Sequence, residues 1–245
     1  MPTHTARLRA LHVPGDPLLL PNAWDAASAR LVERAGLPAV ATGSAAVAES
    51  LGFPDHEGTP PDVMFAAIGR IAAAVDVPVT ADVEAGYGLA PAELADRLAA
   101  AGAAGCNVED SVAGELVDPD RQASYLAGLR AAGDLVLNAR VDVFLRAEDQ
   151  RTVLTDGIER ALAYLAAGAD CVYPIMVRDA EVLAAFVDAV RPAPVNAILA
   201  PGGPAMATLR AAGVARISLG PHLFRLAQSY VDTVVRDLVA GNSPF

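Results

Sequence analysis

Short apolar runs closed by Gly, Pro, Asn or Asp alternate along this chain with longer windows in which apolar residues recur every third or fourth position. The first pattern marks strands buried on both faces, the second amphipathic helices. Strands are predicted at 18–20, 39–42, 77–83, 105–110, 135–142, 171–175, 195–199 and 216–220. Helices are predicted at 26–35, behind Asp25 as N-cap, and at 61–75, 91–101, 119–132, 152–167, 179–190, 204–212 and 222–240. A short helix over 3–12 would cap one end, and 43–61 reads as a long polar, glycine-rich connection. Several helices stop at Ala-Gly, as at Ala35-Gly36 and Ala101-Gly102, where Gly is the usual residue after the last turn. Eight strand–helix units, each of about 25–30 residues, are enough to close a sheet on itself. An open doubly wound sheet would need a glycine fingerprint after its first strand, and none is present. The expected fold is α/β, a (β/α)8 TIM barrel, with residues 1–245 as a single domain.

Such barrels work at the C-terminal ends of their strands, and polar residues gather there. The stretch VPVTADVEAGYG at 77–88 carries Asp82 and Glu84 at alternate positions, so a strand running through both puts two carboxylates on one face. The fourth strand ends in Glu109 and Asp110, and the fifth carries Asn138, Arg140 and Asp142 with one parity. Thr42, Gly43, Ser44 and Asp55 follow the second strand. Four or five acids against one interior Arg leave negative charge uncompensated, and a cation is the simplest remedy. His4, His12, His56 and His222 have no ligand spacing to one another. Oxygen donors alone suit Mg2+ or Mn2+ better than Zn2+. A divalent ion beside a guanidinium suits a small carboxylate, which the Arg fork holds at two points.

Composition narrows this further. The chain has 245 residues, 53% hydrophobic, and a net charge of −11, which disfavours nucleic acid or an anionic membrane as partner. No apolar run is long enough to span a membrane and residues 1–15 lack a signal-like core, so the expected location is cytoplasmic. The chain contains no Lys, which excludes Schiff-base chemistry and a Walker A phosphate loop. Cys106 and Cys171 sit in apolar stretches and read as buried thiols.

The runs SLGFPD at 50–55, ADVEAGYG at 81–88, VED at 108–110 and NARVD at 138–142 together resemble the isocitrate lyase/phosphoenolpyruvate mutase superfamily. The resemblance covers nearly the whole chain. It implies a (β/α)8 barrel, Mg2+ dependence, an enolate-like intermediate and a homo-oligomer, usually a tetramer. Carried over by position, it makes Asp82 a metal ligand with Glu84 as the second acid. Glu109 and Asp55 then hold the metal's waters, Arg140 clamps the substrate carboxylate, and Thr42, Gly43 and Ser44 cradle the carboxylate or oxo group. Asn196 matches the family's strand-seven Asn. In this chain the lid after strand four reads SVAGELVDPDR, without the Lys-Lys-Cys-Gly-His of the lyases or the Lys and Asn of the phosphonate enzymes. Ile175, Ile198 and Leu199 stand where the lyases are polar. The expected activity is Mg2+-dependent cleavage of a C–C bond in a small 2-hydroxy- or 2-oxo-carboxylate. Arg140, Glu109 and Asp55 are its candidate catalytic groups, and Glu115 is a further candidate proton donor in the lid. The alternatives are P–C chemistry on phosphonopyruvate and an oxo-acid-binding protein with reduced catalysis. The last helix is apolar on two sides, as expected of a subunit contact.

Overall fold

A computed structural model describes residues 2–244. Its strands are β1 (Leu18–Leu20), β2 (Asn22–Ala23), β3 (Val40–Thr42), β4 (Val79–Asp82), β5 (Gly105–Glu109), β6 (Ser111–Val112), β7 (Glu115–Leu116), β8 (Val136–Val141), β9 (Cys171–Pro174), β10 (Asn196–Ile198) and β11 (Arg216–Ser218). Its helices are α1 (His4–Ala10), α2 (Ala26–Arg34), α3 (Ser44–Ser50), α4 (Pro61–Ala72), α5 (Pro91–Ala100), α6 (Pro119–Ala132), α7 (Val143–Arg146), α8 (Leu154–Ala166), α9 (Ala180–Val190), α10 (Met206–Ala211) and α11 (His222–Val239).

Parallel pairing runs β2-β3-β4-β5-β8-β9 and β1-β11-β10. A parallel bridge between Val172 and Val195 joins β9 to β10, and β1 continues into β2 across Pro21, which has no N–H to give a ladder. The result is the expected (β/α)8 barrel, with β1 and β2 as one interrupted strand. Asn22 ties the seam at the C-terminal rim. Its Nδ2 donates to the Thr42 carbonyl and its Oδ1 accepts the N–H groups of Leu219 and Gly220. Helices α2, α6 and α9 start on aspartate caps, Asp25, Asp118 and Asp179, and α4, α5 and α6 on a first-turn Pro. Side chains such as Ile68, Leu94, Leu98, Leu126 and Phe186 fill the layer between helices and sheet, while Leu8 of α1 plugs the N-terminal end with Leu18, Leu20 and Val136.

The structure departs from the sequence expectation in three places. The connection 43–61 contains helix α3, which Gly, Ser and Pro on either side conceal. A single helical turn, α7, follows β8. Segment 111–116 forms an antiparallel hairpin, β6 with β7, turning at Ala113 and Gly114, both with positive φ. Helix α11 buries only Phe224, which meets Trp24 edge to face, and leaves Leu226, Tyr230, Val231, Val235, Leu238 and Val239 exposed.

Candidate functional site

A cavity of about 250 Å3 opens at the C-terminal end of the barrel. Asn22, Ser44, Asp82, Glu84, Asn107, Glu109 and Arg140 give it a polar half. Tyr173, Ile175, Met176, Ile198 and Leu145 give it a more apolar one, and His222 and Arg225 reach it from α11.

Asp82 closes β4. Its N–H donates to Thr42 Oγ1 at 2.9 Å, and its Oδ2 accepts from the Ser44 N–H at 3.1 Å and hydroxyl at 2.8 Å. Its Oδ1 makes no hydrogen bond among the described residues. Glu84 does not continue the strand: its φ of 51° is left-handed, so strand alternation does not place it beside Asp82. It reaches the cavity through the turn instead. Glu84 Oε2 accepts the Glu57 N–H at 2.5 Å and Oε1 the Tyr87 hydroxyl at 2.8 Å, while the Tyr87 N–H donates to Glu57 Oε1 at 2.5 Å. His56, Glu57 and Tyr87 are left-handed as well. Such backbones cost roughly 1–3 kcal/mol each for non-glycine residues and gather at functional sites. Burial, with Asp82 and Asp55 adding like charge, pushes the Glu84 carboxyl up to about 7.

Arg140 is held on one side. Its Nε and Nη2 donate to the two oxygens of Asp142 at 2.6 and 2.7 Å, and Nη2 also pairs with Glu109. Nη1 makes no hydrogen bond among the described residues. Because Asp142 takes the fork of the guanidinium, Glu109 is left under-compensated, and burial pushes its carboxyl up to about 9 despite the ion pair. Asp142 in turn accepts the Ser111 hydroxyl and donates its N–H to Asp110 at 2.8 Å. Asp110 is fully buried and faces away from the cavity, bound by Tyr164 at 2.6 Å and Arg160 at 3.1 Å.

The structure therefore brings Ser44, Asp55, Asp82, Glu84, Glu109 and Arg140 to one cavity. Thr42, Gly43 and Asn196 do not line it. Thr42 is buried behind Asp82, Gly43 caps α3, and Asn196 lies beneath the floor with its Nδ2 on Ser218 Oγ at 3.1 Å. The cradle expected over 42–44 thus reduces to Ser44. Glu115 is exposed on the hairpin, 3.6 Å from Arg146, and does not line this cavity. Cys106 points to the helix layer, and burial pushes its thiol up to about 12. Asn22, Asn107, Tyr173 and Ser218 also line the cavity. Strand parity with Glu109 could have flagged Asn107; His56 and Arg225 come from loop and helix ends that carry no periodic signal.

Ligand atoms of Asp55, His56 and Glu84 lie within 4.8 Å of one another. Asp82, Glu84 and Glu109 share the wall but form no such cluster among the described residues, because Ser44, Tyr87 with Glu57, and Arg140 each hold one of them. The donor set still fits a hard divalent cation. It offers carboxylate oxygens, a free Asp82 Oδ1, and two carboxyls raised by burial and by like charge.

A family model described as phosphoenolpyruvate phosphomutase matches residues 8–239. A solved structure from Burkholderia cenocepacia J2315 is 42% identical, with a TM-score of 0.88 over 95% of this chain and 99% of that one. The 2-methylisocitrate lyase of Escherichia coli K12 is 31% identical over 74% of this chain and 69% of its own. A phosphonopyruvate hydrolase solved in complex with oxalate and Mg2+ is 25% identical, with a TM-score of 0.85 over 98% of this chain and 89% of that one.

Proposed function

The chain belongs to the phosphoenolpyruvate phosphomutase family, of the phosphoenolpyruvate mutase/isocitrate lyase superfamily, and from that premise we propose that it is a Mg2+-dependent lyase. It cleaves a C–C bond of a small 2-hydroxy- or 2-oxo-carboxylate. The observation that carries this reading is the division of the cavity into a half of carboxylates around one Arg and a half of Ile, Met and Leu. The first half suits the oxo-acid end. The second suits a compact, partly apolar leaving fragment and disfavours a tricarboxylate.

Asp82, Glu84 and Glu109, with Asp55 at the rim, are the residues that would hold the metal. Mg2+ bound there would polarise the oxygen on which negative charge develops. Arg140, fixed by Asp142, offers Nη1 to the substrate carboxylate without searching for a conformation. Ser44 donates to Asp82 and so holds that carboxylate in place. Glu109 and Asp55 are the carboxyls available to take and return a proton, and burial raises the proton affinity of Glu109. The apolar wall keeps water from the leaving fragment. The working unit is read as a homo-oligomer, a tetramer, joined through α11.

The test is turnover by purified protein on a panel of 2-hydroxy- and 2-oxo-acids, with phosphonopyruvate included, in Mg2+ and in excess EDTA. Aldehyde or oxo-acid release that stops in EDTA and returns with Mg2+ or Mn2+ supports the lyase. Phosphate release would move the assignment to P–C chemistry, saturable binding without turnover to a binding protein, and full activity in EDTA would remove the metal.

A further inference from the structure

Asn107 stands two residues before Glu109 on β5 and, like it, lines the cavity. Its Oδ1 accepts two hydrogen bonds, from Asn138 Nδ2 at 2.8 Å and from Arg216 Nη2 at 2.9 Å. A guanidinium can only donate, so the atom that faces Arg216 must be the oxygen. Nδ2 is thereby turned the other way. It has no protein partner among the described residues, and it is not one of the polar atoms shut off from the surface.

Arg216 sharpens the point. It is fully buried, it crosses the barrel interior from β11 to β5, and among the described residues Nη2 is its only nitrogen with a partner; Nε and Nη1 have none. A buried cation without a counter-charge is costly, and an apolar side chain would pack there more favourably. Its one directed interaction ends on the Asn107 amide. Charge at one end of an amide strengthens the donor at the other.

We propose that Asn107 donates a hydrogen bond through Nδ2 to an oxo or carboxylate oxygen of the bound substrate, and that Arg216 is a positioning residue that fixes and polarises this amide from beneath the cavity floor. The inference rests on the reading of the ligand as an oxo or hydroxy acid. With Arg140 Nη1 it gives the substrate's oxygens two donors from different strands, β5 and β8, neither with another hydrogen-bond partner among the described residues.

Asn107→Asp separates this role from simple packing. The introduced carboxylate still accepts from Arg216 and Asn138 and supplies the missing counter-charge, but it presents an acceptor to the ligand. Stability and binding should therefore part company. The Tm does not fall below wild type, while affinity for oxalate in the presence of Mg2+ falls by about 30-fold or more. In an Arg216→Met background the same substitution lowers Tm, because the carboxylate is then buried without its partner. Oxalate affinity within threefold of wild type would overturn the donor role. A Tm that falls in the wild-type background, or one that ignores Arg216→Met, would overturn the orientation. If wild-type protein binds no oxalate and turns over none of the acids, the functional reading fails, and the two Tm comparisons still decide how the amide is held.

Discussion

Asp142→Asn is the substitution that most directly tests how the guanidinium of Arg140 is held. Asp142 is only 2% exposed, and its two oxygens accept from Arg140 Nε and Nη2 at 2.6 and 2.7 Å. An amide keeps the shape but offers one acceptor and places an N–H group against a donor. Breaking a buried ion pair by removing one partner typically costs about 3–5 kcal/mol. Glu109 remains beside Arg140 and takes up part of the charge, so the lower end, about 3 kcal/mol, is expected. For a chain of this size each kcal/mol moves Tm by roughly 2–4 °C, so a fall of roughly 6–12 °C follows. Calorimetry at pH 7 measures it, and a double-mutant cycle assigns it: in an Arg140→Met background the cost of Asp142→Asn should shrink to below about 1 kcal/mol. The same cost in both backgrounds would falsify the claim that Asp142 acts by holding Arg140. Oxalate affinity should also fall, since an Arg140 released from Asp142 turns toward Glu109. An unchanged affinity would show that the fork geometry does not govern binding.

Four further outcomes are expected. Helix α11 carries exposed Leu226, Tyr230, Val231 and Val235, so light scattering at micromolar concentration should find an oligomer that Leu226→Glu with Val235→Glu disperses; a wild-type monomer would refute the subunit contact. Cys106→Ser should leave turnover within about threefold, because a thiol that burial holds near 12 and that faces the helix layer cannot reach substrate; abolished turnover with a folded protein would make the thiol the acid. The hairpin at 111–116 should lose amide exchange protection without ligand and gain it with oxalate, and identical protection would make it a fixed wall. Finally, burial, with Arg216 adding to it, lowers His12 to about 4. Above its unfolded value of about 6.5 neither state is protonated, and below it only the unfolded chain binds the proton, so stability falls as pH falls from about 6.5 toward 4. Between pH 7 and 5 His12 should account for roughly 2 kcal/mol of loss. Urea midpoints for wild type and His12→Gln that run parallel across that range would refute this.

The strand and helix order, the (β/α)8 closure and the list of acids at the strand ends are all properties of local pattern. Periods of two and 3.6, the aspartate caps at Asp25, Asp118 and Asp179, and the Ala-Gly stops act over a few residues, so the sequence alone determined them. Helix α3 escaped because seven residues between glycines carry too little periodicity to separate from loop. What only the tertiary structure decided is which atoms meet. Asp82 and Glu84 share the cavity, yet through a left-handed turn rather than one strand face, with the Glu84 carboxylate held by Glu57 from another loop and by Tyr87 from the same turn. Thr42 and Asn196 have the residue types of a substrate cradle but lie below the floor, a matter of depth along the barrel axis that parity cannot supply. The reach of Arg216 across the interior to Asn107 joins side chains on opposite sides of the barrel, from β11 to β5. No pattern of neighbours encodes such contacts, because they exist only once the sheet has closed and the low dielectric inside it makes an unpaired charge costly.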